Sequence, residues 1–232
     1  MNDGEKTRAQ LLEELAAFRR ELDDLQTFAD PEWRRQEKWR QNFKQLQEML
    51  EGVVAVLECR VPDLVEHQRR VTHLACAIAQ ELGLSTEQIE GLSIAGMVHD
   101  IGKVFIPLKI LHKAGSLDGV EMSLIQAHPR AAHYILKDLE FSQPVAEIIM
   151  QHHERLDGSG YPAGLAGEEI LLEARILAVT DVVEAMSYSR PYRVSLGINT
   201  ALQEISQNRG ILYDPQVVDA CLALFDRGYE FL

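Results

Sequence analysis

No apolar run approaches the roughly 18 residues needed to cross a bilayer. The first thirty residues are rich in Glu, Arg and Lys and lack the apolar core of a secretory signal. The chain therefore reads as cytoplasmic, with no membrane segment of its own. Cysteine is also scarce. Cys59, Cys76 and Cys221 are odd in number, far apart and form no Cys-x-x-Cys pair, so no disulfide framework is indicated. They read as reduced, buried small residues. Positive charge is in deficit, with 23 Lys and Arg against 36 Asp and Glu and a net charge of -13. Binding to a nucleic-acid polymer is thereby disfavoured, because it needs clustered cations to displace counterions. An anionic substrate must be drawn in by a local cationic site. Linkers rich in Pro, Gly or Ser, internal repeats and alternating two-residue patterns are missing as well.

What is present is helical punctuation. In the first fifty or so residues Leu11, Leu15, Phe18, Leu22 and Leu25 are spaced 4, 3, 4, 3 with charged residues between them, the seam of about two heptads. Pro31 interrupts this seam, Asp30 can cap the next start, and Trp39, Phe43, Leu46, Leu50 and Val53 resume the spacing. Residues 1–56 thus read as an N-terminal helical pair. Its apolar residues either pair two copies into a homodimer or pack on the adjoining domain, residues 57–232. There, Gly83 suits the end of the helix around His67, and Ser85 with Gln88 and Asp118 with Glu121 suit capping boxes. Pro129 fits a first helical turn, Ser142 precedes another helix, Asp214-Pro215 starts the last, and residues 170–186 have helical periodicity. The fold class expected is all-α.

The strongest signal is a set of metal-ligating residue types: His67, His99-Asp100, His128, His152-His153 and Asp181. Five of the eight histidines fall in it. A lone His is usually structural, but imidazoles and carboxylates together are the ligands of Fe, Mn or Zn, and more than four imply more than one metal. Gly102 would let the chain turn tightly after Asp100, and Lys103 could then point a cation toward the metals. His73, His112 and His133 read as surface residues.

The ordered string His99-Asp100-Ile101-Gly102-Lys103, Ile106-Pro107, His128-Pro129, His152-His153-Glu154 and Asp157-Gly158-Ser159-Gly160-Tyr161-Pro162 resembles the HD-GYP subclass of HD-domain phosphohydrolases. The likeness continues through Ala174-Arg175-Ile176, Asp181 and Ser189-Arg190-Pro191-Tyr192-Arg193. It implies an HD-domain helical bundle carrying an N-terminal helical extension. It also implies a phosphodiesterase that hydrolyses cyclic di-GMP, in bacterial second-messenger signalling, with either pGpG or GMP as the final product. In such a centre His67, His99, Asp100, His128, His152, His153 and Asp181 bind the metals, with Asp100 bridging. Lys103 contacts the scissile phosphate, Arg190 and Arg193 reach the phosphate or guanine, and the Gly160-Tyr161-Pro162 loop lines the site and binds a signalling partner.

One departure lies at Val61-Pro62-Asp63-Leu64-Val65-Glu66, where the subclass usually reads like Asp-Pro-Tyr-Thr. Asp63 precedes His67 by four residues, so on a helix the two share a face. It is either a ligand of a third metal or an acidic residue favoured at a helix start. Two or three divalent ions are therefore expected, Fe or Mn first and Zn also compatible. Glu154 and Asp157 are expected to orient histidines or backbone. Two other functions compete: hydrolysis of another nucleotide, such as a mixed cyclic dinucleotide, and a catalytically silent interaction module. The complete ligand set speaks against the silent module.

Overall fold

The computed structural model describes residues 15, 17, 18, 38, 43–45, 48–50, 52–55, 64–113, 115–189 and 194–231. The chain divides into two compact units, Met1–Glu48 and Met49–Leu232. In the first, the described residues are helical, and Leu15 and Phe18 are exposed. Of the seam residues, Leu11, Leu22, Leu25, Trp39 and Leu46 lie outside the described residues.

The second unit is all-helical; among its described residues the only β pairings are two isolated bridges, Asp157 with Ala166 and Arg209 with Tyr213. Helix α1 is Leu64–Glu81, α2 Thr86–Val98, α3 Leu108–Leu111, α4 Gly119–Gln126 and α5 His128–Leu136. Then come α6 Val145–Gln151, α7 Leu172–Ser187, α8 Ile198–Gln207 and α9 Pro215–Asp226, with 3-10 turns at Ile101–Phe105 and Gly167–Glu169. No helix among the described residues is long and apolar enough to cross a membrane.

The caps follow the sequence chemistry. Ser85 Oγ accepts the Gln88 N–H at 3.3 Å while Gln88 Oε1 accepts the Ser85 N–H at 3.1 Å, a capping box at the start of α2. Asp118 and Glu121 form the same box at α4, both bonds being 2.9 Å. Asp214 Oδ1 caps α9 through Gln216 and Val217. Each such cap stabilises by about 1 kcal/mol. Ser142 precedes α6, as expected, but the N-cap itself is Pro144 and no side chain caps the helix.

Packing sets where the site can form. Helix α1 packs on α2 and α7, α2 on α6, and α5 on α6. Helix α7 is buried almost all round, through Ala174, Ile176, Leu177, Val179 and Val183, as expected of a central helix. Helix α1 buries one face, with Val71, Leu74, Ala75 and Ile78 fully covered. A Cβ at Gly96 would come within 2.6 Å of Thr72 Oγ1, so this glycine allows the close crossing of α1 and α2. Cys221 is buried and Cys76 half-buried, both free thiols; Cys59 lies outside the described residues.

Candidate metal centre

The seven expected ligands arrive from five places: α1, the end of α2, the start of α5, the end of α6 and the middle of α7. Three of the histidines share one local device. The ring of His99 lies just past α2, and its Nδ1–H donates to Gly96 O at 2.7 Å. His128 follows α4 and donates to Ile125 O at 2.7 Å; His152 follows α6 and donates to Ile149 O at 2.6 Å. In each case the acceptor is a carbonyl three residues back, one of those a helix end leaves unsatisfied. A carbonyl can only accept, so Nδ1 must carry the proton. In the neutral ring Nε2 is then the lone pair and faces inward, the tautomer a metal ligand requires.

In His67 the Nδ1 proton is held by a carboxylate instead. Its Nδ1–H donates to Glu184 Oε2 at 2.5 Å, and Glu184 Oε1 accepts from Arg70 Nε at 2.8 Å. Glu184 is 1% exposed. It stands one helical turn after Asp181 on α7, so both carboxylates face His67; Asp181 Oδ1 lies 3.3 Å from His67 Nε2. Sequence reasoning missed Glu184, although the three-residue spacing from Asp181 was the available signal.

The ligand atoms converge in three overlapping groups: His128, His152 and His153; His67, His99 and Asp181; His99, Asp100 and His152. Within each, the atoms lie within 4.8 Å of one another, and together the groups comprise all seven residues. Asp100 is 1% exposed and stands among them, Oδ1 being 3.2 Å from His128 Nε2 and Oδ2 3.6 Å from His99 Nε2. Lys103 Nζ donates to Asp100 Oδ2 at 2.5 Å. His99 Nε2 is buried without a hydrogen-bond partner among the described residues. A buried imidazole nitrogen of that kind is normally bonded. The orphaned nitrogen and the mixed His and carboxylate donors fit divalent transition metals.

His73, His112 and His133 are in none of these groups, as expected. Asp63, Arg190 and Arg193 lie outside the described residues. Tyr161 stacks against the centre, its ring 4.7 Å from that of His153. Its loop is held by Glu154, 2% exposed, whose carboxylate accepts the backbone N–H groups of Ala163, Gly164 and Leu165 at 2.7, 3.2 and 3.1 Å. Glu154 thus orients backbone, and Asp157 does so locally through Ser159. The expected reason for Gly102 needs correcting. It lies in a 3-10 turn, and its role is close approach: a Cβ there would stand 2.0 Å from His128 O.

Burial pushes the carboxyl of Asp100 up, but Lys103 and then His99 and His128 override it and hold it well below the usual range. Burial also raises Asp181, and its bond to His67 with the surrounding imidazoles holds it well below the usual carboxylate range. Burial lowers His99, His152 and His153, the last to about 3. In His67 burial is outweighed by Asp181 and Glu184, and the value is raised. These signs predict how metal-free protein responds to acid. Below the ordinary value of 6.5 an unfolded chain protonates His99, His152 and His153 while the folded chain refuses, so their stability contribution falls as pH drops. His67 has the opposite sign; its contribution is complete below 6.5 and is lost as pH rises through its folded value. With three groups against one, Tm of chelated protein should fall between about pH 7 and 5. A flat or rising Tm in calorimetry would contradict the inward-facing neutral rings.

The pattern that defines the HD domain family matches residues 51–217. The chain belongs to the HD-domain family. It is 41% identical over 177 residues to the cyclic di-GMP phosphodiesterase response regulator RpfG of Xanthomonas campestris, covering 75% of this chain and 47% of that one. It is 39% identical to a cyclic di-GMP phosphodiesterase of Thermotoga maritima, covering 76% and 49%. With the 3'3'-cGAMP-specific phosphodiesterase 1 of Vibrio cholerae the identity is 38%, covering 75% and 41%. The chain spans less than half the length of these relatives. Its ordered motifs and these relatives place it in the HD-GYP subclass. Among solved structures, an HDG"Y"P protein from Bdellovibrio bacteriovorus superposes with TM-score 0.59 at 21% identity, covering 70% of this chain and 52% of that one. The HD domain of the Listeria monocytogenes phosphodiesterase PgpH, in complex with cyclic-di-AMP, gives 0.55 at 19% identity, covering 76% and 96%. Both likenesses support the HD-domain fold.

Proposed function

We propose that this HD-domain chain is a metal-dependent phosphodiesterase that hydrolyses cyclic di-GMP, with pGpG or GMP as the final product. The observation that carries the reading is the convergence of five imidazoles and two carboxylates, with four Nδ1–H groups turned outward onto protein acceptors. His67, His99, Asp100, His128, His152, His153 and Asp181 would hold two divalent ions, Fe or Mn, and Asp63 would reach a third. Bound there, the ions supply Lewis acidity and lower the pKa of a water toward neutrality. Hydrolysis adds water across a P–O3' bond, the water oxygen going to phosphorus and a proton to the departing oxygen.

The chain's own groups prepare this step. His99, His152 and His153 enter neutral, so no proton need be displaced from their inward nitrogens near pH 7. Lys103, one turn after Asp100, puts a cation where the equatorial oxygens of the phosphoryl group gain charge. Lys103→Ala should therefore keep the metal and lower turnover by about a hundredfold. Metal loss with unchanged turnover per occupied site would make the lysine structural. Tyr161, Arg190 and Arg193 complete the substrate site in this reading, and the Gly160-Tyr161-Pro162 loop receives a signalling partner. On spacing alone, residues 1–56 pair two copies into a homodimer, and the lack of any long apolar run favours the cytoplasm.

The substrate rests on the two relatives named for cyclic di-GMP; the Vibrio cholerae relative named for 3'3'-cGAMP supports a mixed dinucleotide as second reading. The test loads the full chain anaerobically with Fe or Mn, counts the metal by elemental analysis, and follows both dinucleotides by chromatography. Faster loss of cyclic di-GMP, abolished by a chelator and restored by metal, is expected. Faster loss of 3'3'-cGAMP would select the second reading, and loss of neither would overturn both.

A further inference from the structure

One buried polar side chain has no task in the metal centre: Gln68. It is 2% exposed, and neither Oε1 nor Nε2 has a hydrogen-bond partner among the described residues. Its backbone carbonyl accepts the Thr72 hydroxyl at 2.7 Å, so the unmet need is confined to the carboxamide. An amide gives up its hydration on burial and is normally bonded again inside the protein. Here it lines a cavity of about 260 Å³ whose walls include Val54, Val65, Cys76 and Met97. Arg69 and His73, both exposed, form its outer side.

This cavity is separate from the candidate metal centre, since none of the seven candidate ligands lines it. Gln68 directly follows His67 on α1, so their side chains leave the helix about 100° apart. One turn of α1 therefore serves the metal centre on one side and the cavity on the other. Val54, Val65 and Met97 give the cavity aliphatic walls, and Thr72 and Ser93 add hydroxyls, that of Thr72 being already bonded to the Gln68 carbonyl.

The chemistry of the occupant follows from the carboxamide. It presents a carbonyl acceptor and an N–H donor side by side. A carboxylate has only acceptors and would leave Oε1 unmet; an ammonium has only donors and would leave Nε2 unmet. The complement is an N–H next to a C=O on the same edge, the arrangement a ring enforces. Aliphatic walls suit an apolar ring body, as in small-molecule sites where a few polar groups fix orientation. We infer that the cavity between the 52–55 segment, α1 and α2 is a binding site for a small uncharged molecule bearing a cyclic amide edge, with Gln68 as the residue that reads it.

The test uses the full chain with 2-piperidone, a simple lactam, and N-methyl-2-piperidone, which keeps the ring and carbonyl but has no N–H. Affinities are measured by saturation-transfer NMR titration. The native chain should bind 2-piperidone at least about tenfold more tightly than the methylated ring, the scale of one buried donor–acceptor pair. Gln68→Leu keeps the bulk and removes the amide; its fold is checked by thermal melting, and it should bind both rings equally. Met97→Trp fills the cavity from the opposite wall and should abolish binding of both. The inference is overturned if neither ring binds the native chain, or if both bind it equally, because water alone then meets the amide. Persistence of the tenfold preference in Gln68→Leu also overturns it, since the lactam is then bound elsewhere.

Discussion

Asp100→Ala is expected to remove most of the metal the chain takes up and to lower the proposed hydrolysis of cyclic di-GMP by at least about a thousandfold. That exceeds the 10- to 100-fold loss typical when only a group orienting a ligand is removed. The reason lies in its position. Asp100 is buried to 1% exposure, and its two oxygens face the Nε2 atoms of His128 and His99 at 3.2 and 3.6 Å and the ammonium of Lys103 at 2.5 Å. It is grouped with His99 and His152, one histidine from each of the other two clusters. Removal therefore subtracts a ligand, leaves the Lys103 cation without its counter-charge, and sets that cation against any metal that still enters. Asp100→Asn separates these effects, because it retains shape and one carbonyl ligand while removing charge. Elemental analysis and turnover per chain should both drop in Asp100→Ala; in Asp100→Asn turnover should drop further than metal content. Normal metal and normal turnover in the alanine variant would remove Asp100 from the centre.

Much of this arrangement was legible from residue order, and what was not has physical reasons. The capping boxes at Ser85 and Asp118 and the start at Asp214 are local chemistry, decided within four residues, and the structure forms all three. Ser142 does precede α6, but the N-cap position falls to Pro144, whose ring fixes its own φ. The seven candidate ligands could be singled out because their residue types are rarely buried without cause. Their common tautomer could not, because it depends on carbonyls three residues back at three helix ends. Glu184 and Gln68 look like ordinary helical polar residues in the sequence. Only packing shows that one lies under His67 and the other faces a cavity. The reading of Gly102 as a turn glycine failed for the same reason: its constraint comes from a helix that begins 26 residues later.

That constraint gives the second large effect, for Gly102→Ala. The added methyl would stand 2.0 Å from His128 O, 2.8 Å from Ala132 N and 2.9 Å from His128 C. All three are backbone atoms of α5 or its first turn, so no flexible side chain can swing away. Either the 3-10 turn Ile101–Phe105 lifts from α5 or α5 itself shifts. Overpacking of this kind costs about 1–3 kcal/mol and more where only backbone can yield. The upper end is expected, read as a lower urea midpoint at unchanged slope. The shift also separates what the contact joins. The turn begins directly after Asp100 and carries Lys103, while α5 begins with His128, whose Nε2 lies 3.2 Å from Asp100 Oδ1. Metal affinity should consequently fall along with stability, although Gly102 itself has no ligand atom. Gly119→Ala is the control: Gly119 opens α4, nothing lies within 4 Å of an added Cβ, and alanine there should be neutral or stabilise by up to about 1 kcal/mol. If Gly102→Ala matches Gly119→Ala in urea midpoint and metal affinity, the turn and α5 do not meet as closely as 2.0 Å requires, and the glycine has no role in placing His128.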